Sequence, residues 1–161
     1  MEFFERSLPV SIRDVVGYLT LVDRECCAYI NRKTGDICII TDEELYLTGD
    51  EEDVRPRASQ ARAEQRTEVG EILASEDYIA LPDSFEIDVW SMMREFAAAC
   101  EDPDQRTRLL DALRGRGASR RFTVAIDDMG MREAWLSYRA GALEAIAINF
   151  LKANQIPFRA D

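Results

Sequence analysis

Glu25-Cys26-Cys27-Ala28-Tyr29-Ile30-Asn31-Arg32-Lys33-Thr34-Gly35-Asp36-Ile37-Cys38-Ile39-Ile40-Thr41 is the stretch on which the fold turns. Two β-prone runs, 25–31 and 36–41, flank a short link that ends in Gly35, a residue suited to the positive φ of a bulged turn. The reading is a β-hairpin. With Asn31 opposite Asp36, Ala28, Ile30, Ile37 and Ile39 share one face, and Cys27, Tyr29, Cys38 and Ile40 share the other. Both faces are mostly apolar, so the hairpin is expected to be covered on both sides. Cys27 and Cys38 are diagonal neighbours in that register, an arrangement that does not favour a disulfide. Tyr78-Ile79-Ala80-Leu81, closed by Pro82, reads as a third short strand. It is expected to join the hairpin, because two strands alone are marginal.

Helices are expected around these strands. Ser11-Ile12-Arg13-Asp14 has a capping hydroxyl and a carboxylate three residues on, followed by Val15, Val16 and Leu19 on the face of Ile12. Thr41-Asp42-Glu43-Glu44 is a capping box into a short helix bearing Leu45 and Leu47. The run 49–53 is acidic and lacks the alternating ligands of a calcium loop, so it reads as solvated. Pro56 to Glu76 is charged and Ala-rich, with Val69, Ile72 and Leu73 late in the run. That pattern predicts a helix that docks by its C-terminal half.

After Pro82 the pattern is helical throughout. Asp88 can cap a helix bearing Val89, Met92, Met93, Phe96, Ala97 and Cys100. Asp102-Pro103-Asp104-Gln105 combines a cap, a proline in the first position and Gln in the third. The helix it starts carries Leu109, Leu110 and Leu113 and is expected to stop at Gly115. A further helix begins at Gly117 with Ala118, Phe122, Ala125, Ile126 and Met129 in step, and Gly130 ends it. Met131 to Asn154 is the longest helix and is expected to form a central pillar through Trp135, Leu136, Leu143, Ile146, Ala147, Phe150 and Leu151, with Pro157 blocking its continuation.

Composition bounds the function. The chain has 161 residues, 31 acids against 20 bases, a net charge of −11 and no histidine. The missing histidine removes the commonest general base, metal ligand and triad partner. A chain of this length buries about 68–70% of its unfolded surface, so it folds without a metal or disulfide. No apolar run reaches the roughly 18 residues that span a bilayer, and Met1-Glu2-Phe3-Phe4-Glu5-Arg6 lacks the basic start of an export signal. The expectation is a cytoplasmic protein with no membrane contact, whose four cysteines are reduced thiols.

The charge is not evenly spread. Residues 106–121 hold six arginines (106, 108, 114, 116, 120, 121) against one acid, Asp111, so the segment carries +5 and the remainder −16. Within it, Arg114-Gly115-Arg116-Gly117 stands immediately before a helix whose first amides lack partners. Guanidinium forks suit carboxylate or phosphate. An anion or an acidic protein partner is therefore expected at Arg114, Arg116, Gly117, Arg120 and Arg121. Internal pairing with Asp127, Asp128 and Glu133 competes with that role. Trp135 and Tyr138 lie on a helix apolar enough to read as core rather than as a platform for RNA bases.

No catalytic constellation emerges. Asp127 and Asp128 point about 100° apart on a helix and make no dyad, and Ser119 has no histidine to activate it. No catalytic residue, metal ligand or cofactor is assigned. A nucleic-acid or nucleotide site at the same loop is the alternative, and a carboxylate-based phosphoester hydrolase a weaker one. Acidic rows that imitate nucleic acid are a further possibility.

The segment Leu110-Asp111-Ala112-Leu113-Arg114-Gly115-Arg116-Gly117-Ala118-Ser119-Arg120-Arg121-Phe122, followed by Trp135, Tyr138-Arg139 and Ala147 to Leu151, resembles the bacterial uncharacterised protein family UPF0158. The hairpin from Tyr29 to Ile37, Tyr78 to Pro82, and Met93-Arg94-Glu95-Phe96 are similar to the family pattern as well. Ser119 stands where the family commonly has an aromatic, and Thr123 where it has a lysine. The resemblance implies a small cytoplasmic α+β protein and no particular reaction, and Arg139 is counted with the partner-binding residues. The expected fold is α+β: a small three-stranded antiparallel sheet with flanking helices in residues 1–82, followed by a packed helical half in residues 83–161, the two forming one domain.

Overall fold

A computed structural model describes residues 2–4, 8–21, 26–47, 68–83 and 86–160, without the side chains of 2–4 and 45–47. The acidic run 49–53 and the start of the helix expected from Pro56 lie outside the described residues. The hairpin consists of β3 (Cys26–Asn31) and β4 (Ile37–Thr41), antiparallel in the expected register, with Ala28 opposite Ile39 and Ile30 opposite Ile37. The turn between them is built by Asn31, whose Oδ1 accepts from the amides of Lys33 and Thr34 at 2.9 and 3.1 Å. Gly35 takes φ +83° there and donates its amide to the Asn31 carbonyl at 2.7 Å. A side chain at Gly35 would be strained, which is why glycine closes this link.

β5 (Tyr78–Ala80) pairs antiparallel with β3, completing the expected three-stranded sheet. The structure adds a fourth strand, β1 (Glu2–Phe4), on the free edge of β4, giving the order β1-β4-β3-β5. Both hairpin faces are buried. Ala28, Ile30 and Ile37 are inaccessible on one, and on the other Cys38 and Ile40 pack with Val69 and Ile72 of α3 (described over 68–74). Leu73, expected on the docking face of α3, is instead 41% exposed: it neighbours Ile72 in sequence, and on a helix adjacent residues point apart.

α1 (Ile12–Leu21) follows β2 (Val10–Ser11) and starts as its sequence predicts, with the Asp14 amide donating to Ser11 Oγ at 3.2 Å. α2 (Asp42–Leu47) opens with the reciprocal box: the Thr41 amide donates to Glu44 Oε2 at 2.9 Å, and the Glu44 amide to Thr41 Oγ1 at 3.3 Å.

Four helices follow: α4 (Val89–Ala98), α5 (Pro103–Ala112), α6 (Ala118–Asp128) and α7 (Arg132–Ala153). Asp88 caps α4, accepting from the Ser91 amide at 3.0 Å and the Ser91 hydroxyl at 2.6 Å. Those bonds hold its carboxyl below the usual carboxylate range. Asp102 caps α5 with Pro103 behind it. Met93, Phe96, Ala97, Leu109, Leu113, Phe122, Ala125 and Ile126 form the core here, and Trp135 and Tyr138 pack against it, as their apolar helix predicts. Phe122 meets Trp135 and Phe96 edge-on, with ring centroids 5.1 and 6.4 Å apart.

Two compact units result, one made of Met1–Glu86 with Ile146–Asp161 and the other of Ile87–Ala145. The end of α7 thus counts with the sheet rather than with the preceding helices. Beyond α7, β6 (Phe158–Arg159) pairs in parallel with β2. Of the positions expected to make α7 a pillar, Leu143, Ala147 and Leu151 are buried, whereas Leu136 is 50% exposed.

Candidate functional site

α5 ends at Ala112, with Leu113 as its C-cap, two residues earlier than Gly115 suggests. The chain then reverses through Arg114-Gly115-Arg116-Gly117, and both glycines adopt φ +73°. Gly117 is the N-cap of α6 and supplies no side-chain acceptor. Two left-handed residues in so short a link explain why it alternates arginine with glycine.

The arginines of this region divide by what they touch. Arg121, in the first turn of α6, reaches back over the link: its Nε donates to the Ala112 carbonyl at 3.2 Å, and its two Nη groups donate to the carbonyls of Arg114 and Arg116. One guanidinium thus satisfies acceptors left open where α5 ends. Arg106 does similar work after α4, donating from Nε to the Cys100 carbonyl at 3.0 Å and from Nη2 to the Glu101 carbonyl at 3.4 Å. Arg108 pairs with Asp128 at 3.0 Å, and Arg114 stands 3.7 Å from Asp111 across one turn. Asp127, another expected acceptor, is taken by Arg132 through two bonds of 2.8 Å.

Arg116 and Arg120 remain. Both are exposed, and neither guanidinium makes a hydrogen bond or ion pair among the described residues. Arg120 borders an open depression of about 460 Å³ lined by Arg108, Asp111 and Arg121 and by the apolar side chains of Ala112, Val124 and Ala125. Val124 is 52% exposed. The structure therefore brings Arg120 and Arg121 together with Arg108 but assigns Arg121 to its own backbone. Arg139 does not line this depression; it is half-buried on α7, with a buried Nε that has no hydrogen-bond partner among the described residues. The signal that sequence reasoning missed here is Trp90, which donates from Nε1 to the Leu113 carbonyl at 3.2 Å and so stands against the start of the link. The bond spans 23 residues, so nothing near Trp90 in the sequence marks it.

Other chemistry finds little support. Among the described residues no group of three or more His, Cys, Asp or Glu gathers to hold a metal ion, and no helix is long and apolar enough to cross a membrane. No disulfide joins the four cysteines. Burial pushes the Cys38 thiol up to about 11, with Glu44 and Glu68 adding to the effect, and burial raises Cys27 and Cys100 as well. Shifts in that direction suppress the thiolate a nucleophile or redox centre needs.

An α+β protein with an arginine-rich helix–helix link is the class that fold and site define. The profile of the Uncharacterised protein family (UPF0158) matches residues 61–161, which include the link and all four helices around it, and the chain belongs to that family. No curated protein and no solved structure matches the chain.

Proposed function

We propose that this chain is a non-catalytic interaction module that holds an acidic protein partner at the α5–α6 link, with Arg116 and Arg120 as the contact residues. The observation that carries the reading is that these two guanidinium groups make no hydrogen bond or ion pair among the described residues, while Arg106, Arg108, Arg114 and Arg121 are engaged internally. Arg114 contributes from the edge, since an exposed pair 3.7 Å apart is easily exchanged for a better one. Arg121 acts as a positioning residue: it holds the carbonyls of Arg114 and Arg116 and so fixes where Arg116 leaves the backbone. Gly117 supplies the reversal that puts both arginines beside one link. The free thiols suit a reducing compartment, the cytoplasm in this reading.

A nucleic-acid ligand is disfavoured by charge. Affinity for a phosphate backbone grows with the number of phosphates neutralised, and two free arginines in a chain of net −11 neutralise few. The test is affinity capture from native extract with the wild type and with the double variant R116E/R120E. The reading expects a protein retained by the wild type and released by added salt to be lost by the variant, with Tm unchanged. Equal capture by both chains contradicts it, and capture of nucleic acid in place of protein transfers the site to the alternative.

A further inference from the structure

Resting on that reading, we infer that the segment this site recognises is an acidic peptide bearing an aromatic or other large apolar side chain, which packs on the ring of Trp90. Trp90 lies in the first turn of α4 and is 45% exposed. Its one polar atom is already used, by the bond to the Leu113 carbonyl, so the surface it offers is apolar. That same bond ties the ring to the residue that precedes Arg114, which sets an oriented aromatic beside the link that carries Arg116.

Arg94, one turn further along α4, places its guanidinium 5.7 Å from the Trp90 ring centroid. It makes no ion pair among the described residues. Arg94 of α4 thus lies over the ring, and the ring's bond to the Leu113 carbonyl holds it against the residue from which the link with Arg114 and Arg116 departs. Tryptophan and arginine are the residue types that dominate binding at protein interfaces, and an aromatic already held in place loses little freedom when it is covered. A peptide of carboxylates alone would satisfy the arginines and leave the ring exposed. An acidic peptide with one large apolar side chain satisfies both. A nucleic acid strand could stack a base on the ring, but its continuous negative charge is opposed by a chain of net charge −11.

The probes are poly-L-glutamate, a random copolymer of glutamate and tyrosine, and oligo(dT), each titrated into the full chain at low salt and followed by anisotropy of a label on the probe. The copolymer is expected to bind about fivefold more tightly than polyglutamate. Trp90→Ala should bring the copolymer down to the affinity of polyglutamate, and Trp90→Phe should keep most of the difference. R116E/R120E should weaken both polymers by about tenfold. Equal affinity of the two polymers for the wild type, with both weakened by R116E/R120E, overturns the inference and leaves the partner-binding reading standing. Binding of neither polymer overturns both. Oligo(dT) binding above the copolymer, lost on Trp90→Ala, reassigns the ring to nucleic acid. The comparison of polymers on the wild-type chain decides the matter even if Trp90→Ala fails to fold.

Discussion

Arg121 shows how one side chain can look like a ligand contact and be a structural one. In sequence it is one of six arginines in a short basic run, with nothing to distinguish it from Arg120 beside it. In the structure it donates to three backbone carbonyls, those of Ala112, Arg114 and Arg116. That relation was not legible, because the bonds reach back five, seven and nine residues and exist only once two left-handed glycines have folded the link. The glycines themselves were legible, since few other residues accept such a φ. Removing the guanidinium leaves those carbonyls to water and slackens the link. Arg121→Ala should cost on the order of 1–2 kcal/mol in urea unfolding, and Arg121→Lys should recover little of it, because an ammonium cannot fork to three acceptors. Arg116→Ala and Arg120→Ala should stay within about 0.5 kcal/mol of the wild type. An Arg121→Ala variant as stable as these two would remove Arg121 from the structural role.

At the scale of elements, the caps and the hairpin were the readable part. Asp88, Asp102, the Thr41–Glu44 box and the Asn31–Gly35 turn each work through contacts within four residues, so local sequence carries them. The turn likewise set the register of β3 on β4, with Asn31 facing Asp36 across it. β1, β2 and β6 were invisible for the opposite reason: strands so short have no period, none of them stands as an apolar run closed by a proline the way β5 does, and β2 and β6 join opposite ends of the chain. The face of the hairpin bearing Cys27, Tyr29 and Cys38 has a consequence for pH. Burial raises all three, Cys38 from 9.0 to about 11. A thiol raised on folding contributes stability that is complete below its unfolded value near 9 and is lost as pH climbs towards about 11, because the unfolded chain gives up the proton first. The free energy of urea unfolding should therefore fall over that window, by on the order of 2 kcal/mol for Cys38. Cys38→Ala should lower stability at neutral pH yet flatten the alkaline slope. Identical slopes in the two proteins would show that Cys38 keeps its ordinary titration.

For the whole molecule, the fact that matters is the separation of charge: +5 in residues 106–121 against −16 elsewhere. Sequence alone located that spot and could not say which of its arginines face outward, because pairing is settled by the angle at which α5 meets α6. Four of the six turn to carbonyls or carboxylates within the same helical unit, which removes most of the apparent anion site. What remains is smaller and more specific: Arg116 on a link that Arg121 holds and Arg120 in the first turn of α6, with Trp90 bonded to the Leu113 carbonyl just before the link. The most direct measurement is the NMR spectrum of the arginine Nε–Hε groups during titration with polyglutamate. Before addition, the Arg121 signal should be protected from exchange while those of Arg116 and Arg120 exchange rapidly. On addition, the signals of Arg116 and Arg120 should move and that of Arg121 should stay. An Arg121 signal that exchanges and shifts like the others, or Arg116 and Arg120 signals that do not respond, would contradict the account.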